Sequence, residues 1–275
     1  MSTIKILDGD ALSKYYNVIG SGTALEPFQP VVPDYRIAYG IRQISSDYGD
    51  TVSVYEKAKS LVKFGSNPLL AAGVEESVWS TGGTETYQTT NAINRVVSTD
   101  AGDTQEVVIE GHTISGSDFT FVTQTVTLTG TTAVTLATPL ARGNRMYNNG
   151  TTDFAGTITA YVNGGTTHLT ALGTDNQSLK CATTISSVDY WIVTGFDLGV
   201  KRSNTAVVDF KLQVRESGKV FRTQYFTSQA NGGSYFSFDQ PIIIKPNSDV
   251  RVQVTSNAAS TAVSSSIHGY LAIIT

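Results

Sequence analysis

The chain of 275 residues carries a single cysteine, Cys181. One cysteine cannot close an intrachain disulfide, so stability must come from packing and, by expectation, from oligomerisation. No His and Asn partner motif accompanies Cys181, which predicts a small buried hydrophobe rather than a nucleophile. Charge is sparse too. Asp, Glu, Lys and Arg make up 15% of the chain, against about 25% in ordinary soluble domains. The net charge is −4 with no basic run, so phosphate backbones find no electrostatic driver and nucleic acid is excluded as a partner. No apolar run approaches the roughly 20 residues that span a bilayer, which argues against a membrane partner. The start, Met1-Ser2-Thr3-Ile4-Lys5, lacks the basic-then-apolar pattern of a secretory signal. Synthesis and folding in the cytoplasm are expected.

Catalytic motifs are missing as well. There is no Gly-x-Ser-x-Gly elbow, no His-Glu-x-x-His and no phosphate-cradling glycine loop. The three histidines are far apart: His112 and His168 are expected at strand edges or turns, His268 in the last strand. Each reads as a satisfied or surface residue. The pairs Asp8/Asp10 and Asp100/Asp103 lack the full spacing of a Ca²⁺ loop and read as turn caps. Glu75 and Glu76 sit near Trp79, but neighbours on a strand point to opposite faces and cannot share one glycosidic bond. Asn149-Gly150-Thr151 and Asn176-Gln177-Ser178 match the glycosylation pattern, which carries no weight without secretion. The reading is a non-enzyme with no catalytic residue, metal or cofactor.

What the chain does have is Thr, Ser, Gly and Asn. Thr is β-branched and tolerates a wet sheet face, so the composition favours strands. Residues 1–60 form a first zone. Ile4 to Leu7 and Tyr15 to Ile19 are strand-like, and Pro27, Pro30 and Pro33 follow within seven positions. Proline at that density favours extended chain. Too few apolar residues are present for a core, so the zone is predicted to be an extended N-terminal arm or small attachment segment. Its Tyr15, Tyr16, Phe28, Pro30, Pro33, Tyr35 and Tyr39 are the candidate subunit-binding residues, because aromatics left in water usually mark contact. The only predicted helix is Ser53 to Phe64, from a loose stripe of Val54, Ala58, Leu61, Val62 and Phe64, with Lys57, Lys59 and Lys63 on the exposed face and Gly65 as the stop.

From about residue 91 onward the chain reads as short strands: Val107–Ile109, Phe119–Leu128, Thr157–Val162 before the hairpin signal Asn163-Gly164-Gly165, Tyr190–Val193, Phe210–Val214, Val250–Val254 and His268–Ile274. Turn residues separate them and no helices intervene. This predicts an all-β, antiparallel β-sandwich with jelly-roll-like topology over residues 61–275. No repeat of about 20–50 residues recurs, which argues against a β-helix or propeller. The dense aromatics Phe221, Tyr225, Phe226, Tyr235, Phe236 and Phe238 are read mainly as packing, with any exposed remainder a contact surface.

Two blocks then stand out: Lys63-Phe64-Gly65-Ser66-Asn67-Pro68, and Glu75-Glu76-Ser77-Val78-Trp79-Ser80-Thr81-Gly82-Gly83. With Gln124–Gly130, Arg142-Gly143-Asn144-Arg145, Ala155-Gly156-Thr157-Ile158 and the opening Ile4–Asp10 with Lys14-Tyr15, they resemble virion structural proteins of tailed bacteriophages. Where those proteins often carry a Pro-x-Gly turn, this chain has Ser186-Ser187-Val188-Asp189. The resemblance implies a particle component. It favours a capsid decoration or cement protein, homotrimeric and located in the virion, whose partners are the major capsid protein or other virion proteins. The alternative it leaves open is a tail fibre or baseplate receptor-binding protein that recognises host glycans.

Overall fold

The computed structural model describes residues 55–201 and 206–274, together with the backbone of three N-terminal strands. The chain divides into two compact units, Met1–Val54 and Tyr55–Thr275. In the first, β1 (Ser2–Leu7), β2 (Ser13–Ile19) and β3 (Gln29–Pro30) form an antiparallel sheet in the order β1-β2-β3. Both strand-like runs of the arm are therefore strands. The proposed extended course of the rest of the arm lies outside the described residues.

The larger unit begins with β4 (Tyr55–Leu70) and β5 (Glu75–Ser77). A run of eight strands follows: β6 (Ile93–Ser98), β7 (Glu106–Ser115), β8 (Asp118–Thr127), β9 (Val134–Leu140), β10 (Arg142–Asn148), β11 (Ile158–Val162), β12 (Thr167–Leu172) and β13 (Gln177–Ser178). The chain closes with β14 (Ala182–Ile185), β15 (Asp189–Lys201), β16 (Val208–Glu216), β17 (Arg222–Gln229), β18 (Gly232–Ile244), β19 (Ser248–Ser256) and β20 (Thr261–Ile274). All strand pairings named above and below are antiparallel, and there is no helix among the described residues.

Two of the sheets form a jelly roll. One runs β18-β15-β20-β4, the other β14-β19-β16-β17. Strands next to each other in the chain are repeatedly placed in opposite sheets, which is the double Greek key of that fold. Trp191, Phe196, Phe210, Leu212, Val252 and Ile267 fill the space between them. The alternation read from the sequence sets this up: Phe210, Leu212, Val250, Val252 and Val254 point inward while their neighbours do not.

The third sheet is a separate, nearly closed barrel, ordered β8-β7-β10-β13-β12-β11-β6-β9. Its core holds Ile93, Val107, Ile109, Leu140, Met146 and Ile158. The seam between the terminal strands is bridged by Gln124. Its side-chain nitrogen donates to Thr138 O at 2.8 Å, and its oxygen accepts from Thr138 N at 3.1 Å. The barrel interrupts a strand. β5 and β14 pair with the same side of β19, Ser77 opposite Gln253 and Ala182 opposite Arg251. One strand position is thus split, and the chain leaves at Trp79 and returns at Lys180, which face each other in an isolated bridge.

The predicted helix at Ser53–Phe64 is not formed, because β4 covers it from Tyr55 onward. Leu61, Lys63, Gly65 and Asn67 turn inward in period two, while Val62 and Phe64 are exposed. Continuous pairing with β20, from Thr261–Leu70 to Ile274–Tyr55, outweighs a weak local stripe. Lys63, expected on an exposed face, is buried. The two compact units meet between Val54 and Tyr55, and β4 pairs with β20 from Tyr55 onward.

Candidate functional site

The sequence blocks that stand out converge on the joint between jelly roll and barrel. Asn67 Nδ2 donates to Glu76 Oε2 at 3.1 Å and to Ser77 O at 3.2 Å. Glu76 also accepts from Ala71 N at 2.7 Å and Gly83 N at 2.8 Å. Trp79 Nε1 donates to Gly82 O and Gly83 O, at 2.7 and 3.0 Å. Gly65 is required because a Cβ there would lie 2.3 Å from Cys181 N and 2.5 Å from Val78 O. Lys63 Nζ reaches across to Asn144 O at 2.9 Å. Burial, with Lys180 nearby, lowers its pKa to about 8.

Three further ion pairs and stacks complete the joint. Arg142 on β10 makes a two-pronged bond to Asp249 on β19, at 2.7 and 3.0 Å. Arg215 joins the same carboxylate at 2.9 Å, and Thr184 Oγ1 donates to it at 2.7 Å. Burial would raise the Asp249 pKa, but Arg142 foremost holds it below its ordinary value. The two guanidinium groups lie over the Tyr87 ring, at 5.0 and 4.3 Å. Lys180 pairs with Glu85 at 2.5 Å and donates to Gly143 O and His168 O. The strongest sequence signals therefore mark a rigid architectural joint. Buried pairs of this kind fix geometry, since removing one member leaves a stranded charge.

The remaining expected residues fall as follows. Tyr15 and Tyr16 lie in β2 and Pro30 in β3, whereas Phe28, Pro33, Tyr35, Tyr39 and the Asp8/Asp10 pair lie outside the described residues. Cys181 is buried, and burial pushes its thiol up to about 12. His112 lies within β7 rather than at a strand edge, whereas His168 is the second residue of β12, at the irregularity beside its turn. Both are buried, bonded to Asn144 and Gln88. Desolvation lowers both to about 4, so both are neutral imidazoles. Asp100 caps Gly102 N at 2.7 Å, as a turn cap does, but Asp103 is buried and accepts from Ala155 N and Gly156 N, at 2.8 and 3.0 Å, so it ties its turn to a distant loop instead of capping its own. Glu75 is exposed and pairs with Lys211, while Glu76 is buried, so the two carboxylates do face apart. Of the aromatics, Tyr225 packs on Phe196, Phe236 and Phe238, and Phe226 and Tyr235 stay exposed.

One cluster went unread in the sequence. On the outer face of the β18-β15-β20-β4 sheet, pairing aligns Tyr235, Asp197, Ser266 and Phe64 in one row. Asp197 Oδ2 lies 2.5 Å from His268 Nε2, Ser266 Oγ lies 2.8 Å from the same oxygen and 2.9 Å from the same nitrogen. A hydrolytic relay needs the acid and the nucleophile on opposite nitrogens of the imidazole. Here both meet Nε2, so the arrangement is a closed three-way cluster. A cavity of about 300 Å³ opens beside it, lined by Phe64, Ser66, Leu179, Asp197, Ser264 and Ser266 among others. Asp197 is 69 and 71 positions from Ser266 and His268 in the chain, and only the β15–β20 register brings them together. The period-two placement of Ser264, Ser266 and His268 in a terminal strand was the available signal.

No family model matches this chain, and no curated protein matches it significantly. Among the described residues no group of three or more His, Cys, Asp or Glu side chains converges to hold a metal.

Proposed function

We propose that the chain is a structural subunit of a tailed-phage particle: a trimeric capsid decoration protein that binds neighbouring capsid subunits and stabilises the head. The observation that carries this reading is the division of labour along the chain. Residues 55–275 form one compact unit whose two cores are bolted together by buried ion pairs, and residues 1–54 form a second unit with a sheet of their own. A rigid body with a separate N-terminal attachment unit suits a fixture repeated on a lattice, where many weak contacts act together. Jelly rolls recur in capsid and lectin domains, which supports the reading by analogy of fold alone. The resemblance of the sequence blocks to those of virion proteins adds to it.

The test is the number of copies per particle. Densitometry of purified virions, with cryo-electron microscopy to locate the density, is expected to find hundreds of copies on the head lattice. A handful at the tail would favour the receptor-binding alternative, and absence from virions would end both.

A further inference from the structure

We propose that the trough on the outer face of the β18-β15-β20-β4 sheet binds a single neutral pyranose, the end residue of a glycan. Its volume of about 300 Å³ sits at the low end of small-ligand sites, room for one sugar ring. Phe64 stands at its rim, 40% exposed. An aromatic ring held half in water offers the flat apolar surface on which the C–H face of a pyranose lies. Beside Phe64 the trough is lined by small residues: Ser66 on β4, and Ser264 and Ser266 on β20. A ring can therefore approach the sheet closely.

The polar groups select the ligand's chemistry. All the bonds described for the Asp197 carboxylate pass through Oδ2, to His268 and Ser266. They fix its rotamer, so Oδ1 can accept from a sugar hydroxyl. Ser66 and Ser264 supply hydroxyls that both donate and accept. A carboxylate without a free cation among the lining residues disfavours an anionic ligand. The lack of a converging ligand set disfavours a metal. A wholly apolar ligand would cover Asp197 Oδ1 without offering it a hydrogen bond. His268 acts as a positioning residue, holding Asp197 through the 2.5 Å contact. The inference does not depend on where in a particle the protein sits.

Saturation-transfer NMR on the full chain tests this, with methyl α-mannopyranoside, methyl β-galactopyranoside and methyl N-acetyl-β-glucosaminide as probes at millimolar concentration. The expected result is saturation of pyranose C–H protons in at least one probe, and binding at least tenfold weaker in Asp197→Asn and Phe64→Ala. Ser264→Phe, at an exposed position, fills the trough with little threat to folding and is expected to abolish the signal. Ile243→Ala, on another exposed strand position of the same sheet, is expected to keep it. No transfer to any probe, or equal transfer in Ser264→Phe, would overturn the assignment.

Discussion

Single residues carry the joint. At Gly65 an added methyl meets backbone atoms on two sides, which cannot rotate away as a side chain can. Gly65→Ala is expected to cost about 3 kcal/mol, the upper end for overpacking, read as a lowered midpoint in urea with unchanged slope. Asp249→Ala strands Arg142 and Arg215, and a loss of about 3–5 kcal/mol is expected from breaking a buried pair. Acid should act through the buried imidazoles. His112 and His168 have folded pKa values of about 4, below the ordinary 6.5, so between those limits the unfolded chain takes up protons first. Stability is full above pH 6.5 and falls as pH drops toward 4, by up to about 1.4 kcal/mol per pH unit for each group. Asp249, depressed below its ordinary 3.8, adds its loss only at still lower pH. Urea titrations at pH 7 and pH 4.5 check the window, and the variant His112→Gln should flatten the slope.

Elements differ in how far their sequences announced them. β11 was legible because Asn163-Gly164-Gly165 closes it, with Gly164 at φ +77°. β16 and β19 were legible because their apolar positions alternate on one side of a single core. β4 was misread because its interior face is Lys63, Gly65 and Asn67, which no hydrophobic pattern reveals. Lys63 and Asn67 face inward because the joint supplies their hydrogen bonds from 9 to 81 positions away. The Asp197–Ser266–His268 cluster was hidden for the same reason, since register across a sheet is not written locally. Hydrogen exchange should separate the strands by position. β15 and β20 each pair on both sides, whereas β4 and β18 pair on one. Amides of β20 are expected to exchange slowest and those of β18 markedly faster. Equal protection would mean that β18's outer edge is covered in solution.

At the scale of the whole molecule, the barrel breaks into the jelly roll within a strand, between β5 and β14. That double crossing, with its buried charges, is what makes residues 55–275 one body although they hold two cores. Light scattering of the full chain is expected to give three times the 29.3 kDa chain mass; a monomer at working concentration would refute trimerisation off the lattice. The account rests most heavily on attachment through the N-terminal unit. Its most direct test is incorporation of a chain lacking residues 1–54 into particles assembled without the full-length protein, with soluble expression and an unfolding midpoint as controls. The account predicts a folded, soluble body that is absent from purified particles. The same body found in particles at the full-length copy number would contradict it.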